Sequence, residues 1–137
     1  MLKVIEKAVL LQEIDALKFV SADHLMQLAE VSREEAFKKG EIIAERGDSP
    51  LKIYLLLNGT ATLDEDESVV LEKSALNLCS GLAGVPYPTG CTCLEDCTVL
   101  AIATGDLMDL MAGEPEFCLA LLKYFASKLI DGSGRCL

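Results

Sequence analysis

Positive charge is scarce in this chain. Against 22 Asp and Glu it carries 12 Lys and Arg, a formal net charge of -10, and the shortfall runs through both halves: 8 against 14 in residues 1–70, 4 against 8 in residues 71–137. A surface of that sign repels nucleic-acid phosphates and anionic lipid, so neither is expected as a partner. Histidine is scarcer still, with His24 the only imidazole. No carboxylate pair, nucleophile elbow or Gly-rich phosphate loop accompanies it, and no enzymatic activity is expected. A long apolar run is missing as well. The stretch MLKVIEKAVLLQEIDALKF has charges throughout and no small-residue cleavage site, so it does not read as a secretory leader, and the expected location is the cytoplasm. Ser74 to Leu94 is 21 residues without a formal charge, but three Gly, two Pro and Asn77 interrupt it. It is too polar and too poor a helix to insert in a membrane.

Six cysteines are present, Cys79, Cys91, Cys93, Cys97, Cys118 and Cys136. Without an export signal they read as reduced thiols serving as small hydrophobes. The C-x-C-x3-C spacing of Cys91, Cys93 and Cys97 lacks the C-x2-C pairs usual in zinc sites, and His24 is distant in sequence, so no metal and no cofactor are expected. A redox-sensing role for these thiols is disfavoured, because Glu95 and Asp96 have the wrong sign to lower a thiol pKa. The acidic run Asp64-Glu65-Asp66-Glu67 lacks the alternating ligands and Gly of a calcium loop and reads as a solvated hairpin end.

At 137 residues, half of them apolar, the chain is sized for one domain with a core of its own. Leu2 to Leu11 follows helical rhythm, and Ser21 stands as N-cap of a second short helix whose buried stripe is Leu25, Met26, Leu28 and Ala29. After Gly40 the rhythm becomes that of short strands. EIIAER, LKIYLLL, GTATLD and ESVVLE are separated by turn residues, and Asn58-Gly59 between two of them predicts a hairpin. CTVLAIA resumes a strand, Gly105 to Met111 begins a helix, and Glu114 to Ile130 continues one. That last helix has Pro115 in its first turn and Phe117, Leu121, Leu122, Phe125 and Leu129 on one side. Short strands at that spacing predict an all-β roll or barrel. The expected divisions are N-terminal helices over 1–36, a β-roll over 37–104, C-terminal helices over 105–131 and a flexible tail over 132–137.

Five segments in this order resemble the cyclic nucleotide-binding domain family, the regulatory module of catabolite activator proteins, cyclic-nucleotide-dependent kinases and some channels. They are the helices of Leu17 to Glu30, the run Phe37 to Ile43, the turn Gly47-Asp48, the run Ile53 to Ala61, and Leu94 to Ile102. The resemblance implies a single domain, mainly β with flanking helices, folded as a double-stranded β-helix of jelly-roll type. It also implies a phosphate-binding cassette. There the family uses backbone N–H groups and an Arg for the cyclic phosphate and a Glu for the ribose hydroxyl.

Aligned back from Leu94-Glu95-Asp96 without gaps, Pro86 falls on the family's Pro, Tyr87 on its Arg, Pro88 on the next small residue and Leu78 on its Glu. No register restores them, because no Arg, Lys, Asp or Glu lies between Lys73 and Glu95. Loss of a charged hydrogen bond to a buried phosphate costs about 2–5 kcal/mol, and each 1.4 kcal/mol or so is tenfold in affinity. Tight cAMP or cGMP binding is therefore not expected. The candidate pocket residues are Leu76, Leu78, Cys79, Ser80, Gly81, Leu82, Pro86, Tyr87, Pro88 and Thr89, with Cys91 and Cys93 on one face of the next strand. The expected function is a non-enzymatic regulatory module acting through a protein partner or a parent-chain domain, with a homodimer through the C-terminal helix as one form. The alternative is a sensor that binds a cyclic nucleotide weakly, or an uncharged aromatic ligand with Tyr87 as its polar handle.

Overall fold

The computed structural model describes residues 1–132. The chain opens with helix α1 (Val4–Leu11), a 3-10 turn at Asp15–Leu17 and helix α2 (Ala22–Val31). The Glu6 carboxylate accepts the Lys3 N–H at 3.0 Å, and Ser21 Oγ accepts the His24 N–H at 3.3 Å. Each satisfies a donor that the first helical turn leaves free. Strands β1 (Arg33–Phe37), β2 (Ile42–Ala44), β3 (Lys52–Asn58), β4 (Ala61–Leu63), β5 (Asp66–Leu71) and β6 (Ala75–Leu76) follow. Next come helix α3 (Leu78–Ala83), strands β7 (Cys91–Cys93) and β8 (Cys97–Ala103), and helices α4 (Thr104–Gly113) and α5 (Pro115–Asp131).

Two four-stranded antiparallel sheets face each other, ordered β1-β8-β3-β6 and β2-β7-β4-β5. This is the mainly β, jelly-roll architecture with helices at both ends that the sequence led us to expect. The long strands β3 and β8 are buried on both faces, which is why they read as unbroken apolar runs. Ile53, Leu55, Leu57, Leu100 and Ile102 turn outward to a cluster with Leu11, Leu28, Phe117 and Leu121 of the helices. Leu56 and Val99 turn inward and meet Leu63, Leu76, Cys91, Cys93 and Cys97 inside the roll. One two-faced sheet thus serves two cores.

Three expectations need correction. The first strand begins at Arg33, inside the segment assigned to the N-terminal helices. Its sequence REEAF hides strand character because three of its residues are charged, and its pairing with β8 overrides that composition. Second, Asn58-Gly59 does not join a hairpin. β3 pairs with β6 and β8 while β4 pairs with β5 and β7, so this turn carries the chain from one sheet to the other. Gly59 is required there: its φ is +87°, and a Cβ would lie 2.3 Å from the Asp96 carbonyl oxygen. Third, Cys91, Cys93, Cys97 and Cys118 are free thiols, but Cys79 is disulfide-bonded, contrary to the reading of all six as reduced. Cys136 and the tail from residue 133 lie outside the described residues. No helix among the described residues is long and apolar enough to cross a membrane.

Candidate functional site

The uncharged segment from Ser74 to Leu94 runs from β6 through α3 to β7. β6 pairs with β3, placing Leu76 opposite Tyr54. Asn77 then takes a left-handed conformation, φ 67°, as N-cap of α3, a conformation that Asn tolerates better than most residues. Gly81 lets α3 lie directly on β3, where a Cβ would meet Ile53 Cγ1 at 3.0 Å. Gly84, φ 72°, ends the helix.

Beyond it the chain is fastened at Tyr87. Its N–H donates to the Asp48 carbonyl at 3.0 Å, its carbonyl accepts the Gly47 N–H at 2.9 Å, and its hydroxyl donates to the Lys52 carbonyl at 2.5 Å. Tyr87 is 4% exposed. Tyr87 is therefore a clamp between the segment and the β2–β3 connection, with its hydroxyl proton committed to the backbone. Burial raises its pKa, as does Asp48, against the lowering effect of Lys52's backbone hydrogen bond.

The ten candidate residues are spread over both cores and the surface. Leu76 lies in the cluster inside the roll, with Cys91 and Cys93. Leu78 lies in the other cluster, under the helices, and Leu82 packs at its margin. Ser80 is buried, its hydroxyl donating to the Asn77 carbonyl at 3.3 Å, and Thr89 is buried with its hydroxyl donating to the Gly90 carbonyl at 3.3 Å. Cys79 is half-buried, while Pro86 and Pro88 are exposed.

Two buried polar atoms were not foreseen. Asn77 Nδ2 and Glu35 Oε2 are out of solvent with no hydrogen-bond partner among the described residues. Glu35 pairs across the ladder with Val99, which pairs in turn with Leu56, so its side chain shares the inward face of the sheet. Asn77 had a legible signal, an Asn ahead of a short helix. Glu35 had none, since it stands in a charged run. The Tyr54 hydroxyl is pushed up to about 12, first by burial, then by Tyr87, Glu35 and Asp48. The charges felt on this side of the roll are negative. Burial likewise raises the Cys91 and Cys93 thiols to about 12, with Asp64 adding to the first and Cys97 and Glu41 to the second. Thiols held protonated in this way are poor nucleophiles and poor metal ligands. Among the described residues no group of three His, Cys, Asp or Glu is placed to hold a metal.

Residues 34–114 match the model of the family described as "Cyclic nucleotide-binding domain". The chain belongs to this family. Its regulatory module type follows from that membership, and the cyclic nucleotide-binding domain has solved structures of similar fold. One is a cyclic nucleotide binding protein of Ruegeria pomeroyi, so described provisionally, at TM-score 0.76 and 16% identity, covering 91% of this chain and 59% of that one. Another is the N-terminal domain of a transcriptional regulator from Streptomyces coelicolor A3(2), at TM-score 0.76 and 20% identity, covering 90% of this chain and 94% of that one. A third is the regulatory subunit of a cAMP-independent protein kinase A from Trypanosoma brucei, a triple mutant bound to cAMP, at TM-score 0.68 and 20% identity, covering 78% of this chain and 41% of that one. At these identities the likeness is one of fold. The cyclic nucleotide-binding domain described here spans about 59% of the Ruegeria pomeroyi protein. No curated protein sequence matches it.

Proposed function

We propose that this domain is a non-enzymatic regulatory module that works through contact with a protein partner or a neighbouring domain of its parent chain, without a tight grip on cAMP or cGMP. The observation that carries the reading is Tyr87. Where the family's Arg would meet the cyclic phosphate, a buried tyrosine has its hydroxyl fixed on the Lys52 carbonyl, and no charged residue stands between Lys73 and Glu95. Glu35 and Asp48 add negative potential beside Tyr54, which works against an anion. The proposed setting is the cytoplasm, on the strength of four free thiols; the disulfide at Cys79 is the observation against it.

Titration calorimetry with cAMP and cGMP tests this. A ligand at 100 times its Kd would stabilise the fold by about 2.7 kcal/mol. The expected outcome is no saturable heat and no rise in melting temperature at roughly 100 µM nucleotide, given the loss of a charged contact. Micromolar binding of either nucleotide overturns the proposal.

A sensor of an uncharged ligand is the second reading. Among the described residues Asn77 Nδ2 is a buried donor without a hydrogen-bond partner. A neutral acceptor group on a ligand would satisfy it without a cation in the site.

A further inference from the structure

Cys79 stands on α3 and is disulfide-bonded, whereas Cys91, Cys93, Cys97 and Cys118 are free thiols. The chain has six cysteines, so within one chain the count leaves Cys136, beyond the described residues, as the partner. Reach permits it. Cys79 and Leu82 are three apart on α3 and share a face, and Leu82 lines one groove with Leu122 and Phe125 of α5. From Phe125, α5 continues for about 9 Å to Asp131, and Gly132, φ 72°, ends it in the left-handed conformation. The chain from Gly132 to Cys136 extends about 14 Å at most, enough to return to α3.

A tie at that point acts where α5 has little else to hold it. Phe117 and Leu121 near its start are buried, but Leu129 and Ile130 are 79% and 87% exposed, so little apolar burial fixes the last turn. The bridge closes a loop through β7, β8, α4 and α5 and fastens the far end of that loop to α3. Where thiols are otherwise kept reduced, a disulfide is generally a reversible one, and four free thiols beside a single bridge fit that pattern. We infer that Cys79 and Cys136 form a reversible redox strap tying the end of α5 to α3, an inference that rests on the proposal that this domain is a regulatory module. In the opening step a dithiol reductant passes two electrons and two protons to the bridge: the S–S bond breaks, two thiols form, and the reductant becomes its own disulfide. The closing step reverses this, with a small-molecule disulfide such as oxidised glutathione taking up the electrons and protons.

The test uses the full chain, oxidised and reduced. Trypsin cuts after Lys73, Lys123 and Arg135, so under non-reducing conditions the bridge joins peptide 74–123 to the dipeptide Cys136-Leu137. Mass spectrometry should find that pair in the wild type and lose it after dithiothreitol, in Cys79→Ser and in Cys136→Ser. Amide hydrogen exchange is the second readout. Residues 126–131 should exchange about tenfold faster in reduced wild type and in Cys136→Ser than in the oxidised protein. Dithiothreitol should add nothing to Cys136→Ser, and oxidised glutathione should return the reduced wild type to slow exchange. Exchange in β8, an interior strand of its sheet, should not change; acceleration there as large as in α5 would make the bridge a staple of the whole fold and overturn the strap. Absence of the joined peptide, a disulfide-linked dimer, or failure of glutathione to restore slow exchange also overturns it. Titration of the same sample with cAMP and cGMP separates the two failures: tight nucleotide binding defeats the functional proposal and leaves the bridge, while a missing bridge defeats the strap alone.

Discussion

Tyr87, proposed to stand where the family has its arginine, serves the fold. The structure gives it four hydrogen bonds, two through its backbone to the β2–β3 connection and two through its hydroxyl, which donates to the Lys52 carbonyl and accepts from the Lys52 N–H. Tyr87→Phe keeps the ring and removes only the hydroxyl, leaving the Lys52 carbonyl without its donor and the Lys52 N–H without its acceptor. A loss of about 1 kcal/mol is expected, read as a lower urea midpoint, with no change in the response to cyclic nucleotides. A gain in nucleotide affinity would show that the hydroxyl guards the site. Leu78 makes the complementary point. Proposed to stand where the family has its Glu, it packs in the cluster beneath the helices, while, among the described residues, the unpartnered buried amide belongs to Asn77, one residue earlier.

At the level of elements, the connection between β3 and β4 decides the topology. Asn58-Gly59 has the composition of a two-residue hairpin turn, but its flanking strands find their partners elsewhere, β3 in one sheet and β4 in the other. The crossing brings Gly59 against the Asp96 backbone, with Cys97 Sγ and Cα also within 3.0 Å of where a Cβ would stand. Gly47 has nearly the same φ, +88°, with nothing within 4 Å. Gly47→Ala should therefore cost only the left-handed penalty, about 1–2 kcal/mol, and Gly59→Ala should cost clearly more. Chemical denaturation of the two variants side by side measures the difference. Equal losses would mean that the approach to Asp96 relaxes at no cost. α5 is split in a similar way by its surroundings: Phe117 and Leu121 enter the core, while Leu122 and Leu129 of the same predicted stripe remain exposed.

For the molecule as a whole, the two cores have a consequence for pH. Cys91 and Cys93 sit inside the roll with pKa values pushed from 9.0 to about 12, chiefly by burial, and Tyr54 is pushed from 10.0 to about 12 for the same first reason. The folded state thus holds these protons after the unfolded chain has begun to release them. That contribution is intact below pH 9 and declines as pH rises toward 12. Urea midpoints measured from pH 7 to 11 should be level with respect to these groups up to about 9 and fall above it; Cys91→Ala and Cys93→Ala should make the alkaline fall shallower. A fall of unchanged slope in both would assign it to other groups. The sequence by itself determined the order of helices, roll and helices, the family, and a segment without charge between Lys73 and Glu95, because periodicity, turn composition and charge are local properties written along the chain. Only the tertiary structure decided which of two cores each apolar residue joins, that REEAF is a strand, that Asn58-Gly59 crosses between sheets, and that Tyr87 is a clamp. Each of those depends on a partner distant in sequence, and a strand's pattern records that it has a buried face without recording what it is buried against.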